Sequence, residues 1–415
     1  MQLRTIDHVD VRGKRVFLRA DFNVPQDDTG VITDDRRVRL TVATIESILA
    51  RGGSVIMASH LGRPAGIGYE PEFSLAPVAA RLRELSPLLA RLTLVGQRCT
   101  DASVASAAAA LNPGEAILVE NLRFEKGEKK GDLELARHLS TYADIYCNDA
   151  FGASHRGDAS MLALPQAMRA QGMPCVAGLL LAREIQYLSG VLETPQKPFV
   201  AIVGGAKVSD KILALRNLCG RVDTILVGGA MAYTFLKALG TSVGRSLTQD
   251  QMLDEARAIL QFAHESATEV VLPVDHVCGE QLALGTPTTT HTGAIPDGLM
   301  GLDIGPETAA RFCAAVRLAK TVVWNGPLGA FETSPFESGT NAVIKAVVAA
   351  TRAGATSVAG GGDTAAAVEA AGASAGFSHI STGGGASLEM LEGKEFESLT
   401  ALDSGVAVGY SAARK

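Results

Sequence analysis

The sequence predicts an α/β fold: two open parallel sheets, each covered by helices on both faces, with a helix joining the halves. Three observations carry this expectation. A short apolar β-prone run, a turn rich in Gly, Asn, Asp or Arg, and a helical pattern follow one another ten times along the 415 residues. The runs are apolar on both faces, as parallel strands covered from both sides must be. Prolines interrupt the series near its middle, and ten units with such a break fit two open sheets better than one closed eight-stranded barrel.

In chain order, the first half contributes "RVFLRADFNVP" from Arg15, "SVIMASHLGRP" from Ser54, "AILVENLRF" from Ala116 and "IYCNDAFGASHR" from Ile145. Next, "VAGLLLAREIQYLSGVLE" reads as a helix with apolar residues at Leu180, Leu181, Ile185, Leu188 and Leu192, and Pro195 and Pro198 end it. The second half contributes "FVAIVGGAK" from Phe199, "TILVGGAMA" from Thr224, "VVLPVDHV" from Val270, "TVVWNGPLGAFE" from Thr321, "TSVAGGGDT" from Thr356 and "HISTGGG" from His379. These boundaries predict an N-terminal lobe over 1–175, a helix and linker over 176–198 and a C-terminal lobe over 199–394, followed by a segment 395–415 outside the repeating pattern.

Hydrophobic residues at 47% supply cores for two domains, and a net charge of −6 argues against a nucleic-acid binder. The six cysteines are scattered with no C-x-x-C pair, which points to free thiols in a reducing, cytoplasmic compartment. The opening residues lack the apolar stretch of a signal peptide, and the longest apolar run, "MPCVAGLLLA", is about half the length a membrane span needs.

In open parallel sheets, ligands bind beyond the carboxyl ends of the strands. First-half ends carry Asp21, Asn23, His60, Arg63, Arg123, His155 and Arg156. Second-half ends carry Gly204, Gly205, Lys207, Gly228, Gly229, two glycine triplets (Gly360 to Gly362 and Gly383 to Gly385) and, a turn further on, Lys211. Arginine forks grip compact anions, and glycine turns at helix starts offer N–H groups to phosphates. A small polyanion in the first half and a nucleotide in the second follow. Neither G-x-x-x-x-G-K-[ST] nor a strict G-x-G-x-x-G occurs, which excludes the P-loop and dinucleotide fingerprints.

Lys207 and Lys211 are four apart, which places them on one helical face at a helix start. A cation there opposes the helix dipole, so with glycines ahead of the pair, phosphate ligation is favoured over two solvated lysines. Asp363 stands where a helix N-cap would fall, and capping and a Mg²⁺ role fit it equally. Nothing local separates Arg37 from its neighbours Arg36 and Arg39. His60 and His155 each lie beside an arginine, and structural and ligand roles are balanced. Trp324 reads as core; Glu332 fits either a surface position or an acceptor for a ribose hydroxyl.

Taken in order, these strand ends resemble the phosphoglycerate kinase family. The likeness rests on "RADFNVP", "ITDDRRVRLTVATI", "SHLGRP", "ENLRF", "NDAFGASHR", "GGAKVSDKI", "GLDIGPET", "WNGPLGAFE", "GGGDT" and "FSHISTGGGASLEMLEGK", among others spread over nearly the whole chain. It implies two Rossmann-like lobes joined by a hinge that closes, with residues 395–415 returning to the N-terminal lobe. The implied reaction is reversible, Mg²⁺-dependent phosphoryl transfer between 1,3-bisphosphoglycerate and ADP, giving 3-phosphoglycerate and ATP. By position, the triose site would use Asp21, Phe22, Asn23, Arg37, His60, Leu61, Gly62, Arg63, Arg123 and Arg156. The nucleotide would meet Gly205, Ala206, Lys207, Lys211, Gly229, Gly301, Asn325, Pro327, Glu332, Gly361, Gly362, Asp363 and Thr364. Asp363 would contact the nucleotide's Mg²⁺, and Arg37, Lys211, Gly383 and Gly384 would act on the transferred group. The likeness also implies a monomer whose partners are these small molecules, with no nucleic acid and no membrane. One departure stands out: the family's usual "HRAHAS" is "HRGDAS" here, which puts Asp158 where a histidine is common. Another acyl-phosphate or carboxylate kinase would need different first-half anion ligands, and a scaffold without catalysis would be expected to lose Arg37, Lys211 or Asp363.

Overall fold

The computed structural model describes residues 3–404. The chain forms two units, one built from the chain up to Ile185 with a return from Glu395, the other from Gln186–Lys394. The boundary falls inside the helix Leu179–Glu193, after Ile185.

The first unit holds β1 (Arg15–Ala20), β2 (Ser54–Ala58), β3 (Thr93–Val95), β4 (Ala116–Val119), β5 (Ile145–Asp149) and β6 (Cys175–Ala177). They form one parallel sheet in the order β3-β4-β2-β1-β5-β6. All five residues of β2 and of β5 are buried, the signature of strands covered on both faces. The second unit holds β7 (Phe199–Val203), β8 (Thr224–Val227), β9 (Glu269–Val271), β10 (Asp275–Gly279), β11 (Thr289–Thr292), β12 (Met300–Ile304), β13 (Thr321–Asn325), β14 (Thr356–Gly360) and β15 (His379–Ile380). Six of them make a parallel sheet ordered β15-β14-β13-β7-β8-β9. The strand order reverses beside β1 in one sheet and beside β7 in the other, so the loops leaving these strands open onto a crevice where ligands can enter.

The two-sheet α/β expectation holds, with corrections of detail. "VVLPVDHV" is not one strand: the chain turns at Leu272–Val274, leaving β9 in the parallel sheet and sending β10 into a separate antiparallel sheet ordered β11-β10-β12. The short strands β3 and β6 carry no run long enough to have been read. Of the C-terminal segment, 405–415 lie outside the described residues. Before them, the Ser398 hydroxyl donates to the Ser154 carbonyl at 2.5 Å, and Asp403 exchanges backbone bonds with Arg4 and Cys175. All six cysteines are free and buried, and Trp324 is core, its indole N–H donating to the Gly326 carbonyl at 2.7 Å. Among the described residues, no helix is long and apolar enough to cross a membrane.

At the carboxyl end of β5, the fully buried Asp149 accepts from the Leu181 amide at 3.0 Å and so holds the start of the helix Leu179–Glu193. Burial pushes its carboxyl up to about 7. A carboxyl raised in the folded state stabilises most below its unfolded pKa, and that contribution is lost as pH rises through about 7. Asp149→Asn keeps an accepting oxygen without the charge. Its stability relative to the parent, read by urea unfolding, is expected to climb between about pH 4 and pH 7. A constant difference across that range would show that Asp149 ionises normally.

Candidate active site

In the first unit the loop after β1 brings Asp21 and Asn23 against Arg37, in the first turn of the helix Arg36–Ala50. Arg37 Nη1 donates to Asp21 Oδ2 and to the Asn23 carbonyl, both at 3.0 Å. The same cluster explains why Arg37 differs from its neighbours. Arg36 pairs with Asp34 and Arg39 with Asp35, whereas only Arg37 turns toward the strand end. Asn23 Oδ1 accepts from the Gly62 amide at 2.8 Å, and the Gly62 carbonyl accepts from Arg123 Nη1 at 2.8 Å. Gly62 has φ +61°, and a Cβ there would lie 2.4 Å from the Phe73 ring, so backbone freedom and close approach both demand glycine.

His60, at 1% exposure, sits at the middle of this cluster. Its Nδ1 lies 3.2 Å from Arg19 Nη2 and its Nε2 lies 3.2 Å from Arg156 Nη1. Burial first, then the charges of Arg19, Arg123, Arg156 and Arg37, push its pKa well below the usual histidine value, so the ring is neutral. Burial and the neighbouring Arg156 likewise push Arg123 down. These shifts mark a pocket of positive charge short of counter-charge. Asp158 lies 3.9 Å from Arg123, not beside Arg156, and so opposes one of these cations. Phe22 and Leu61 are buried, with their amides already given to Ser59 Oγ and Asn121 Oδ1, while Arg63 is exposed. Arg19, Asn121, Ser160 and Glu128 were missed from the sequence. A charged residue inside the apolar run "RVFLRA" was the available signal for Arg19.

In the second unit the loops after β7, β8 and β13 interlock. The Gly204 and Gly205 amides donate to the carbonyls of Asn325 and Pro327, and the Gly229 amide donates to Leu328. A Cβ on Gly204 would stand 2.1 Å from the Pro327 carbonyl, and one on Gly229 would stand 2.6 Å from the Gly205 backbone. These two glycines therefore let backbone meet backbone. Gly205, Gly362, Gly384 and Gly385 differ, because a Cβ on any of them would meet nothing within 4 Å. Gly361 (φ +92°) precedes the helix Gly362–Ala370, and Gly384 (φ +48°) precedes the helix Gly385–Leu391, which Gly383 leads into.

The helix after β7 begins at Ile212, with Lys211 at its N-cap. Lys207 and Ala206 lie exposed in the irregular turn before it, so Lys207 and Lys211 share no helical face, contrary to the spacing argument. Lys211 Nζ hydrogen-bonds Asn325 Oδ1. Burial lowers its pKa, while Asp363, Asp210 and Glu392 partly offset that. Asp363 is not an N-cap either. Gly361 holds that position and Asp363 is exposed in the first turn, which leaves its carboxylate unspent on capping. The Thr364 hydroxyl accepts from the Gly326 amide at 2.7 Å, and Glu332 is exposed. Gly301 stands apart, on β12, where a Cβ would lie 2.1 Å from the Tyr233 hydroxyl. Gly301→Ala is expected to destabilise by about 1–3 kcal/mol through overpacking, read from its urea midpoint. An unchanged midpoint would show that Tyr233 yields freely.

A cationic loop set on one doubly wound sheet and a glycine-rich one on another fit the class of nucleotide-dependent phosphotransferases. The chain belongs to the phosphoglycerate kinase family, whose model matches residues 6–394. It is 49% identical over 408 residues to phosphoglycerate kinase of Rhodopirellula baltica, covering 97% of this chain and 100% of that one. It is 46% identical over 400 residues to cytosolic phosphoglycerate kinase of Triticum aestivum, covering 96% and 98%. The solved phosphoglycerate kinase of Coxiella burnetii superposes with a TM-score of 0.86 at 39% identity, covering 96% of this chain and 98% of that one.

Proposed function

We propose that the chain is a kinase that moves a phosphoryl group reversibly between ATP and the carboxylate of 3-phosphoglycerate, with ADP and 1,3-bisphosphoglycerate on the other side. The observation that carries the reading is the set of guanidinium groups around the neutral His60, a site for a compact polyanion. In the forward sense for ATP, a carboxylate oxygen of the triose bonds to the γ-phosphorus as the bond to the β–γ bridging oxygen breaks, and that oxygen leaves on ADP. Attacking and leaving oxygens are both ionised near neutral pH, so no base is needed. His60, whose pKa is held low, would be a poor one. What remains is alignment and charge neutralisation, the work suited to fixed cations and amides.

Arg37, His60, Arg123 and Arg156 would hold the triose anions. Lys211 and the amides of Gly361, Gly362, Gly384 and Gly385 would hold the nucleotide phosphates, with Lys207 and Glu332 at the periphery, while the Gly383 amide is already given to Ser381 Oγ at 3.0 Å. Because the two ligand sets belong to different units, the reading includes a closing motion.

Among the described residues, no cluster of three or more acidic, His or Cys side chains forms a metal cage. Mg²⁺ would therefore be held by the exposed Asp363 together with nucleotide phosphates, the usual arrangement for that ion, and would supply charge screening of those phosphates. Asp363→Asn is expected to weaken ADP binding about tenfold with Mg²⁺ present and little in EDTA, by calorimetric titration. Equal losses in both buffers would remove the metal role.

The reading is tested by incubating the protein with ATP, Mg²⁺ and 3-phosphoglycerate and trapping acyl phosphate with hydroxylamine, beside acetate and no-acceptor controls. Hydroxamate with 3-phosphoglycerate alone is the expected result; hydroxamate with acetate, or none, would overturn it.

A further inference from the structure

Behind the cations of the first unit lies a buried polar chain that phosphoryl transfer does not itself use. Arg19 is completely buried, and since arginine keeps its charge in protein interiors, it needs a counter-charge nearby. Glu128, also completely buried, supplies one through Ser160. The Ser160 amide donates to Glu128 Oε2 at 3.0 Å, and the Ser160 hydroxyl donates to Oε1 at 2.5 Å. Tyr146 donates from its hydroxyl to the Ser160 carbonyl at 2.8 Å and fixes that backbone. With the only hydroxyl proton committed to the carboxylate, Ser160 Oγ can only accept from Arg19 Nε, 2.8 Å away. Every bond in this chain therefore has one permitted direction.

That direction reaches His60. Arg19 Nη2 and Arg156 Nη1 each lie 3.2 Å from one of its ring nitrogens. Guanidinium groups only donate, and a neutral imidazole has a single accepting nitrogen, so both contacts cannot be hydrogen bonds at once. Arg19 is pinned by Ser160 and the Ala20 carbonyl inside the core, whereas Arg156 is half-buried on a short turn. Asp21 Oδ1, 3.9 Å from Nδ1, is too far to accept a proton from it. We propose that the Glu128–Ser160–Arg19 chain fixes His60 as the Nε2–H tautomer, so that this N–H, beside Arg156, is presented to an anionic oxygen of the substrate. Glu128, Ser160 and Arg19 are positioning residues. Only the identity of the anion rests on the triose reading; the tautomer belongs to the free protein.

The experiment is NMR of the full chain carrying ¹⁵N-labelled histidine, with the His60 signals assigned by their loss in His60→Gln. In the ligand-free parent at pH 7, the proton is expected on Nε2, and the ring should stay neutral well below the usual histidine pKa. Ser160→Ala, a small change that keeps both charges, is expected to show mixed tautomers and to raise the KM for 3-phosphoglycerate about tenfold, as expected for loss of a charge-assisted hydrogen bond. Should that variant fold poorly, Glu128→Gln gives a second reading, with mixed tautomers again expected. A parent proton on Nδ1, or an unmixed Nε2–H tautomer in every folded variant, would overturn the proposal. Adding 3-phosphoglycerate to the parent separates the two ideas. An Nε2–H signal that the triose leaves unmoved keeps the tautomer assignment and removes the triose reading.

Discussion

Arg37→Ala is expected to lower kcat by about two to three orders of magnitude while moving the KM for 3-phosphoglycerate less than about tenfold. The side chain is held ready by Asp21 and the Asn23 carbonyl, which together use one of its two terminal nitrogens, Nη1. The cluster it belongs to already contains Arg123 and Arg156, so ground-state binding of a polyanion survives the loss of one cation. Charge that develops during transfer is different, because only a pre-placed group can meet it without reorganisation. Steady-state kinetics in both directions check this, and an unchanged kcat would reduce Arg37 to a tether for the β1 loop.

Lys211→Ala is expected to lower kcat about a hundredfold and ADP affinity about tenfold, with a urea midpoint within about 1 kcal/mol of the parent. Burial disfavours the charge on Lys211 in the free protein, so its removal relieves a penalty and leaves Asn325 Oδ1 without its donor. A bound phosphate reverses that balance by giving the buried cation a partner. A variant with parental kinetics but a large loss of stability would show that Lys211 serves the loop after β7 and not the nucleotide.

The fold was legible where the sequence repeats a pattern and obscure where it does not. Apolar runs marked ten of the twelve strands of the parallel sheets, because burial on both faces leaves an uninterrupted hydrophobic signature. The antiparallel β11, "TTHT", is mostly exposed and polar, and no run betrays it. The site divided in the same way. Strand-end arginines and glycine triplets stood out, since their chemistry is unusual where a strand becomes a helix. Glu128, in "EKGEKKGD", looks like one more solvated charge, and only its burial against Ser160 reveals its role. Lys207 shows the opposite error, for spacing implied a helix that had not yet begun. At Gly204 and Gly229 the crowding that demands glycine comes from neighbouring backbone, a cause that composition cannot distinguish from the approach of a phosphate.

The strand order also governs how the protein is made. β7, the first strand of its sheet to leave the ribosome, pairs on one side with β8 soon after, but its other partner is β13, with Phe199 opposite Thr321. At roughly 5–20 residues per second, that second edge waits about 6–25 s for its neighbour. β1 waits about as long for β5, since Val16 pairs with Ile145. During each interval an apolar strand edge has no native partner, a template for pairing with other nascent chains. Crowding on polysomes, and any delay in translation before β13, should therefore control the yield of native protein more strongly than the stability of the finished molecule does.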